Sequence, residues 1–259
     1  MVAYIERRSS RTAYWSRRIA LFDAVLFATA GIAHRFEFIG TKPLFLVLFI
    51  VGTLAVVALV LAGIGFSMLW ERGDRGGKAA AAGTAIALLV LVPFFHGGYR
   101  VFTYPRLVDI STDLVDPPRF RAALLSRGSD MNPLGARTDK QAQEQAEFYP
   151  EVIGRRYDIP ADRVYATIYD LIEQRGWTMY GPPSRTFEPP AAFVEVVAKT
   201  LIFGFQSDVV IRVVEDGDGA LVDMRSVSRF GVHDLGDNAA RLDGFLGELD
   251  DRLGLLPPA

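Results

Sequence analysis

Apolar positions run unbroken near the front of the chain and alternate with polar ones toward its back. Residues 43–70 are 28 consecutive positions without a charge, about 42 Å as a helix against a hydrocarbon core of roughly 30 Å. Residues 79–99 form a second uncharged run, and the Pro93 inside it is tolerable because bilayer helices accept proline. The stretch 19–39 is weaker: apolar from Ile19 to Ala33, it contains Asp23 and is followed by His34, Arg35 and Glu37. It reads either as a retained first span or, with Arg17 and Arg18 before it and Ala28-Thr29-Ala30 within it, as a secretion signal. The retained span is preferred, giving a membrane domain over 1–100 with about three crossings. Gly63 and Ser67 on one span, and Ala79, Gly83 and Ala87 on the next, recur at a spacing of four, which predicts a tight hairpin of the second and third spans. Asp23 and His96 read as ionisable groups near the ends of their spans, able to reach the interface.

Residues 101–160 hold six prolines and little periodicity, which predicts an extended approach segment with a short polar helix over 138–148. From residue 161 the pattern sharpens. Val164, Ile168, Leu171 and Ile172 repeat at helical spacing until Gly176. Strand-like runs follow at 177–180, 192–203, 208–215 and 220–229, the last two joined by Asp216-Gly217-Asp218-Gly219 as a hairpin turn. This turn is not a calcium loop, since the ligand alternation fails at Ala220 and the closing glutamate is missing. Residues 236–253 end the pattern with Ala239, Leu242, Phe245, Leu246 and Leu249 on one helical face. Helix, about four strands, helix predicts an α+β domain over 161–259, an antiparallel sheet with helices on one face.

Strand parity sorts the side chains. Val194, Val196, Val209, Ile211, Val213, Val222 and Met224 go to the core, while Glu195, Lys199, Asp208, Arg212, Asp223, Arg225 and Arg229 share the other face, expected to look toward water.

Charge divides the chain at the same place as hydropathy. Residues 1–100 carry 11 Lys+Arg and 5 Asp+Glu, a net +6; residues 101–259 carry 17 and 25, a net −8, and together they make the −2 of the whole. A basic, apolar front and an acidic, ordinary back predict a membrane anchor and a globular domain. Arg7, Arg8, Arg11, Arg17 and Arg18, with Arg72, Arg75 and Lys78 in the second loop, place both on the inner side, so three crossings put the acidic domain outside the cytoplasm. No cysteine is present, which removes disulfide scaffolds and thiolate metal sites. The −8 balance disfavours nucleic acid as a partner.

Candidate chemistry is thin. His233 is the only histidine after residue 100, and Ser226, Ser228 and Asp234 lie near it in sequence. These are the components of a hydrolase-like triad if the turn at Gly231 folds them together. The plainer reading has the serines satisfying backbone groups and Asp234 capping the last helix. A lone histidine anchors no zinc, and no glycine loop opens a helix to cradle phosphate. No cofactor is therefore expected. Arg212, Arg225, Arg229 and Arg241 gather on one sheet and its closing helix, suiting an anionic lipid headgroup or cell-wall component. Internal neutralisation by Asp208, Asp223 and Asp234 is the favoured alternative. With Asn238, these residues make up the candidate binding surface.

Several words in this half are familiar in order. Asp109-Ile110-Ser111-Thr112-Asp113-Leu114, Asp116-Pro117-Pro118 and Phe120 come first, followed by Tyr149-Pro150 and Gly176-Trp177. Phe203-Gly204-Phe205, Asp208 to Val213, Asp223 to Arg229, Gly231, Asp234-Leu235-Gly236, Asn238-Ala239 and Arg241-Leu242 follow. The chain from 107 to 249 thereby resembles the bacterial family known as domain of unknown function 1499. The resemblance implies an envelope-associated protein, often with membrane spans ahead of the domain, and no assigned reaction. Members commonly carry two adjacent acids where this chain has Ser207-Asp208, so a cation or base bound by such a pair would here keep half its partners. The resulting expectation is a protein of the bacterial inner membrane whose periplasmic α+β domain is a binding or interaction module for an envelope protein or anionic envelope ligand.

Overall fold

A computed structural model describes residues 8–181 and 186–254. Arg7, counted above among the inner-side charges, and the end of the domain beyond residue 254 lie outside the described residues. The chain divides into two compact units, Met1–Tyr99 with Ile202–Gly204, and Arg100–Leu201 with Phe205–Ala259.

The first unit contains three long helices: α1 (Arg11–Arg35), α2 (Thr41–Arg72) and α3 (Gly77–Thr103), the last running past its boundary. Two of them, α2 and α3, are long and apolar enough to cross a membrane. α1 starts eight residues before the apolar stretch suggested, capped by Ser10, whose hydroxyl accepts from the Ala13 N–H. Small residues do seat helices against each other here, but on α1. A Cβ at Gly65 of α2 would lie 3.1 Å from Ala13, and one at Gly83 of α3 would lie 2.9 Å from the Arg17 nitrogen. At Gly63 the space is open, so the expected α2–α3 seam through Gly63 is not where the close approach occurs. Gly83→Ala is expected to lower the thermal midpoint of the full-length protein in neutral detergent by an overpacking cost of about 1–3 kcal/mol. Gly63→Ala should leave it unchanged, and equal midpoints for the two variants would refute this seating.

In the second unit, α6 (Ala161–Gln174) and α7 (Asp237–Gly254) pack on one face of a six-stranded antiparallel sheet. The strands are β1 (Asp109–Ser111), β2 (Arg155–Tyr157), β3 (Thr178–Met179), β4 (Ala191–Lys199), β5 (Gln206–Asp216) and β6 (Gly219–Ser228). Their order is β1-β6-β5-β4-β3, with β2 also pairing β6. Val194, Val196, Val209, Ile211, Val213, Val222 and Met224 meet Ile168, Leu171, Leu242, Phe245 and Leu249 in one core. A fully buried aliphatic side chain stabilises by about 1.5–3 kcal/mol, and a one-residue slip would turn the row to the opposite face, so this face fixes the register. The β5–β6 hairpin closes through two residues, with Gly217 at φ 61, a value that costs glycine nothing.

The segment 101–160 departs most from expectation. It belongs to the second unit and supplies β1 and β2, which pair with residues 225–227 and 220–222 of β6. It also holds α4 (Ala122–Ser126) and the expected polar helix, α5 (Asp139–Phe148), begun by a capping box between Thr138 and Gln141. Three-residue strands in proline-rich sequence have no period to read; only β6 makes them strands.

Candidate functional site

The charged face of the sheet is covered, contrary to its expected exposure. Val210 and Val227 interrupt the charged rows of β5 and β6, and Phe120, Ala123, Leu134 and Tyr180 close over them as a second small core. α4 is fastened there by Glu195 of β4. The N–H groups of Arg121 and Ala122 donate to Glu195 Oε1 at 2.7 and 2.9 Å, and that of Ala123 to Oε2 at 2.8 Å. The cover therefore uses both the apolar and the acidic positions of the face.

Beneath it the arginines are neutralised in separate groups. Asp208, with no exposed surface, accepts from Arg127 Nε at 2.6 Å, Arg229 Nη2 at 2.8 Å and the Tyr180 hydroxyl at 2.6 Å. Burial, reinforced by Asp208, pushes the Tyr180 phenol up to about 12. Arg212 donates to Asp113, Asp116 and Asp223 at 2.8, 2.8 and 2.9 Å. Burial pushes the Asp113 carboxyl up, but the N–H groups of Asp116 and Val115 and the Arg212 guanidinium outweigh it and leave it below the usual carboxylate range. Arg225, 3% exposed, grips Asp109 with two bonds of 2.9 and 2.7 Å, donates to the Gly135 carbonyl, and lies over the Phe120 ring. Asp208 and Asp223 thus neutralise arginines as expected, whereas Asp109, Asp113, Asp116 and Arg127 come from the segment read as an approach. Asp234 bonds none of them among the described residues, although its charge favours the Arg241 cation through space.

The remaining candidates sit on the opposite face, beside α7. Ser226 Oγ donates to Asn238 Oδ1 at 2.8 Å, while Asn238 Nδ2 donates to the Val108 carbonyl and to Ser228 Oγ, both at 2.9 Å. Arg241 Nη1 reaches Ser226 Oγ at 3.1 Å. Asp234 accepts from the Gly236 and Asn238 N–H groups at 2.9 and 3.0 Å, capping α7; burial pushes its carboxyl up against the pull of those two bonds. His233 accepts the Leu235 N–H on Nδ1, and its Nε2 lies 3.1 Å from the Tyr104 carbonyl, which puts the proton on Nε2. His233 bonds neither serine nor Asp234, so these residues form a turn and a cap and do not assemble into a triad. Ser207 faces Ser228 at 3.4 Å on this side, while Asp208 points the other way. Adjacent strand residues diverge, so an acid at 207 would not converge with Asp208 on one cation.

An arginine outside these groups keeps buried nitrogens without a partner among the described residues, as does Arg212 at Nε. A cleft of about 490 Å³ is lined by Phe120, Leu124 and Leu134 together with Arg119, Arg137 and Arg225. Arg137 Nη2 donates to Gln145 Oε1 at 2.7 Å, and Gln145 is itself fixed to both backbone groups of Ser111. Arg137 Nε and Nη1 are buried and have no partner among the described residues. Burial pushes this guanidinium down from its ordinary value, Asp109 opposing the fall and Arg225 adding to it. It stays charged, as guanidinium does in proteins. Buried Arg225 bonds Asp109, while half-buried Arg137 meets the charge of the same carboxylate only through space. Arg137 carries no sequence signal of its own, standing one residue ahead of a helix cap in aperiodic chain. Asp109, Asp113 and Asp116 lie within the opening words of the family resemblance, which was the available clue.

A family described as "Protein of unknown function (DUF1499)" matches residues 109–249. No curated protein matches the chain. Among solved structures, the crystal structure of CalU16 from Micromonospora echinospora is similar at 19% identity, over 39% of this chain and 70% of that one, with a TM-score of 0.26.

Proposed function

Since the chain belongs to the DUF1499 family, whose description assigns no reaction, we propose that it is an integral protein of the bacterial inner membrane with a periplasmic binding module, and that the module receives an anionic envelope ligand in the cleft beside Arg137. All three front helices span in this reading, and the basic loop Arg72 to Lys78 stays inside by the positive-inside rule.

The observation that carries the ligand assignment is Arg137, which lines the cleft and whose Nε and Nη1 are buried without a partner among the described residues. An unsatisfied buried donor costs about 1–3 kcal/mol, more when charged, and a carboxylate or phosphate oxygen is the partner a guanidinium fork suits. Apolar walls from Phe120, Leu124 and Leu134 favour an anion attached to a short hydrocarbon portion. Val115, 96% exposed, stands at the rim.

Titration of the full-length protein in neutral detergent tests this, with hexyl phosphate as the probe and hexanol and inorganic phosphate as comparisons. Hexyl phosphate should raise the thermal midpoint and bind more tightly than either. Arg137→Gln should weaken it by about tenfold or more, the loss of a charge-assisted bond of roughly 1.5–3 kcal/mol. Arg137→Lys, which keeps the charge without the fork, should fall between. Unchanged affinity in a folded Arg137→Gln protein would sink the proposal.

A further inference from the structure

Among the described residues, the first unit encloses one acid. Asp23 lies at the midpoint of α1 with no exposed surface, and neither of its carboxyl oxygens has a hydrogen-bond partner among the described residues. Its depth is fixed by contacts on either side. Seven residues earlier, Ser16 Oγ donates to the Ala58 carbonyl at 2.9 Å, and eleven residues later the His34 ring meets Thr41 Oγ1 at 2.9 Å. Asp23 therefore faces the middle of α2, where Val51 and Ala55 are buried with Ala20 of α1 and Ala87 and Val90 of α3. It lies half-way along its helix, where the sequence placed it near the end.

Every element packed around it is short of charge. α2 from Pro43 to Trp70 and α3 from Ala79 to Phe95 carry no titratable side chain. On α1, Arg17 and Arg18 point outward, and His34 is engaged with Thr41. The hydroxyls of Thr29, Thr53 and Thr84 donate to carbonyls of their own helices. An ionised carboxylate in such surroundings lacks any compensating group, and with α1 as a span, the reading proposed above on which this step rests, an acid there is by default a functional position. A metal ion would need a shell of several oxygens, and no cluster of three or more His, Asp or Glu able to hold one exists among the described residues. The proton is the one cation that a single carboxyl accommodates alone.

We propose that Asp23 is a proton-binding site of the helical unit. The carboxylate takes a proton from water by forming one O–H bond and returns it by breaking that bond, and the uncharged acid is the form that the packed helices hold. This inference is independent of the Arg137 cleft, which involves none of these residues.

Dicyclohexylcarbodiimide tests it on the full-length wild-type protein in neutral detergent, because this apolar reagent adds to undissociated carboxyl groups. Peptide mass spectrometry should find the adduct at Asp23, with a labelling rate that falls as pH is raised, and none in Asp23→Asn. Absence of the adduct, or a rate independent of pH, would overturn the assignment. Thermal midpoints give a second readout. Asp23→Asn, a neutral isostere, should be the more stable protein by a margin that widens from about pH 5 to about pH 8, above the usual carboxylate range. A margin constant with pH would mean a packing role alone.

Discussion

Asp208→Ala is expected to destabilise the second unit by about 3–5 kcal/mol, a large fraction of the stability of an ordinary domain. The reasoning does not require the ion pairs to be strongly favourable in themselves. Taking charges out of water costs several kcal/mol per ion, so an intact buried pair is weak evidence for stability. Removing one partner is another matter. Asp208 is the carboxylate on which Arg127, Arg229 and Tyr180 all converge, and the side chains of Arg127 and Arg229 are 7% and 13% exposed. Alanine would strand two guanidinium groups where water cannot reach them easily. Arg127 also donates to the Val227 and Asn132 carbonyls, so the cover over the charged face should loosen with it. Amide hydrogen exchange on full-length protein is the measurement, with protection expected to fall first in residues 121–134. Asp208→Asn should lose less, because it can still accept bonds while leaving the charge unbalanced. If Asp208→Ala and wild type exchange alike, the cluster is not what holds the cover down.

That cover also shows where sequence reading succeeds and where it stops. Alternation along β5 and β6 sorts Val209, Ile211, Val213, Val222 and Met224 into the core because a two-residue period is a local property of the strand. The same alternation identifies a polar face but not what lies on it, since apart from Tyr180 the covering residues are about 70–110 positions away in the chain. Val210 and Val227 were the local hint: an apolar residue inside each charged row fits a face meant to be packed. Ser226 and Ser228 were grouped with the arginines by proximity, although their parity sends them to α7 and Asn238. In the front part, length and hydropathy locate α2 and α3, yet the spacing of small residues cannot say which helix fills the gap. Ala13 and Ser16, ahead of the apolar stretch, proved to be the ones. Asp23 reads as near the end of a span when the count starts at Ile19, but the helix begins at Arg11 and puts it at the midpoint.

The second large effect lies at Asp109, and it bears on the cleft. Asp109→Asn should cost up to about 3–5 kcal/mol, since the Arg225 charge is left unbalanced in a nearly closed site and the amide oxygen can accept only one of its two bonds. Arg137→Met should cost far less, because it removes a guanidinium that already lacks a full set of partners. If Arg225 and Arg137 share the Asp109 charge, the double variant Asp109→Asn/Arg137→Met must be less damaged than the sum of the two singles, by on the order of 1–3 kcal/mol for groups in one network. Additivity within about 0.5 kcal/mol would separate Arg137 from the cluster. The same set of proteins carries an orthogonal signal. With its carboxylate gone, Asp109→Asn holds two cations and no internal anion, so hexyl phosphate should stabilise it more than wild type. In Arg137→Met the stabilisation should vanish. A response to the anion that is larger when Asp109 is absent, and lost when Arg137 is absent, follows from an internal carboxylate and an external phosphate competing to balance the same two guanidinium charges; a cluster that is only a structural tie gives no such pairing of effects.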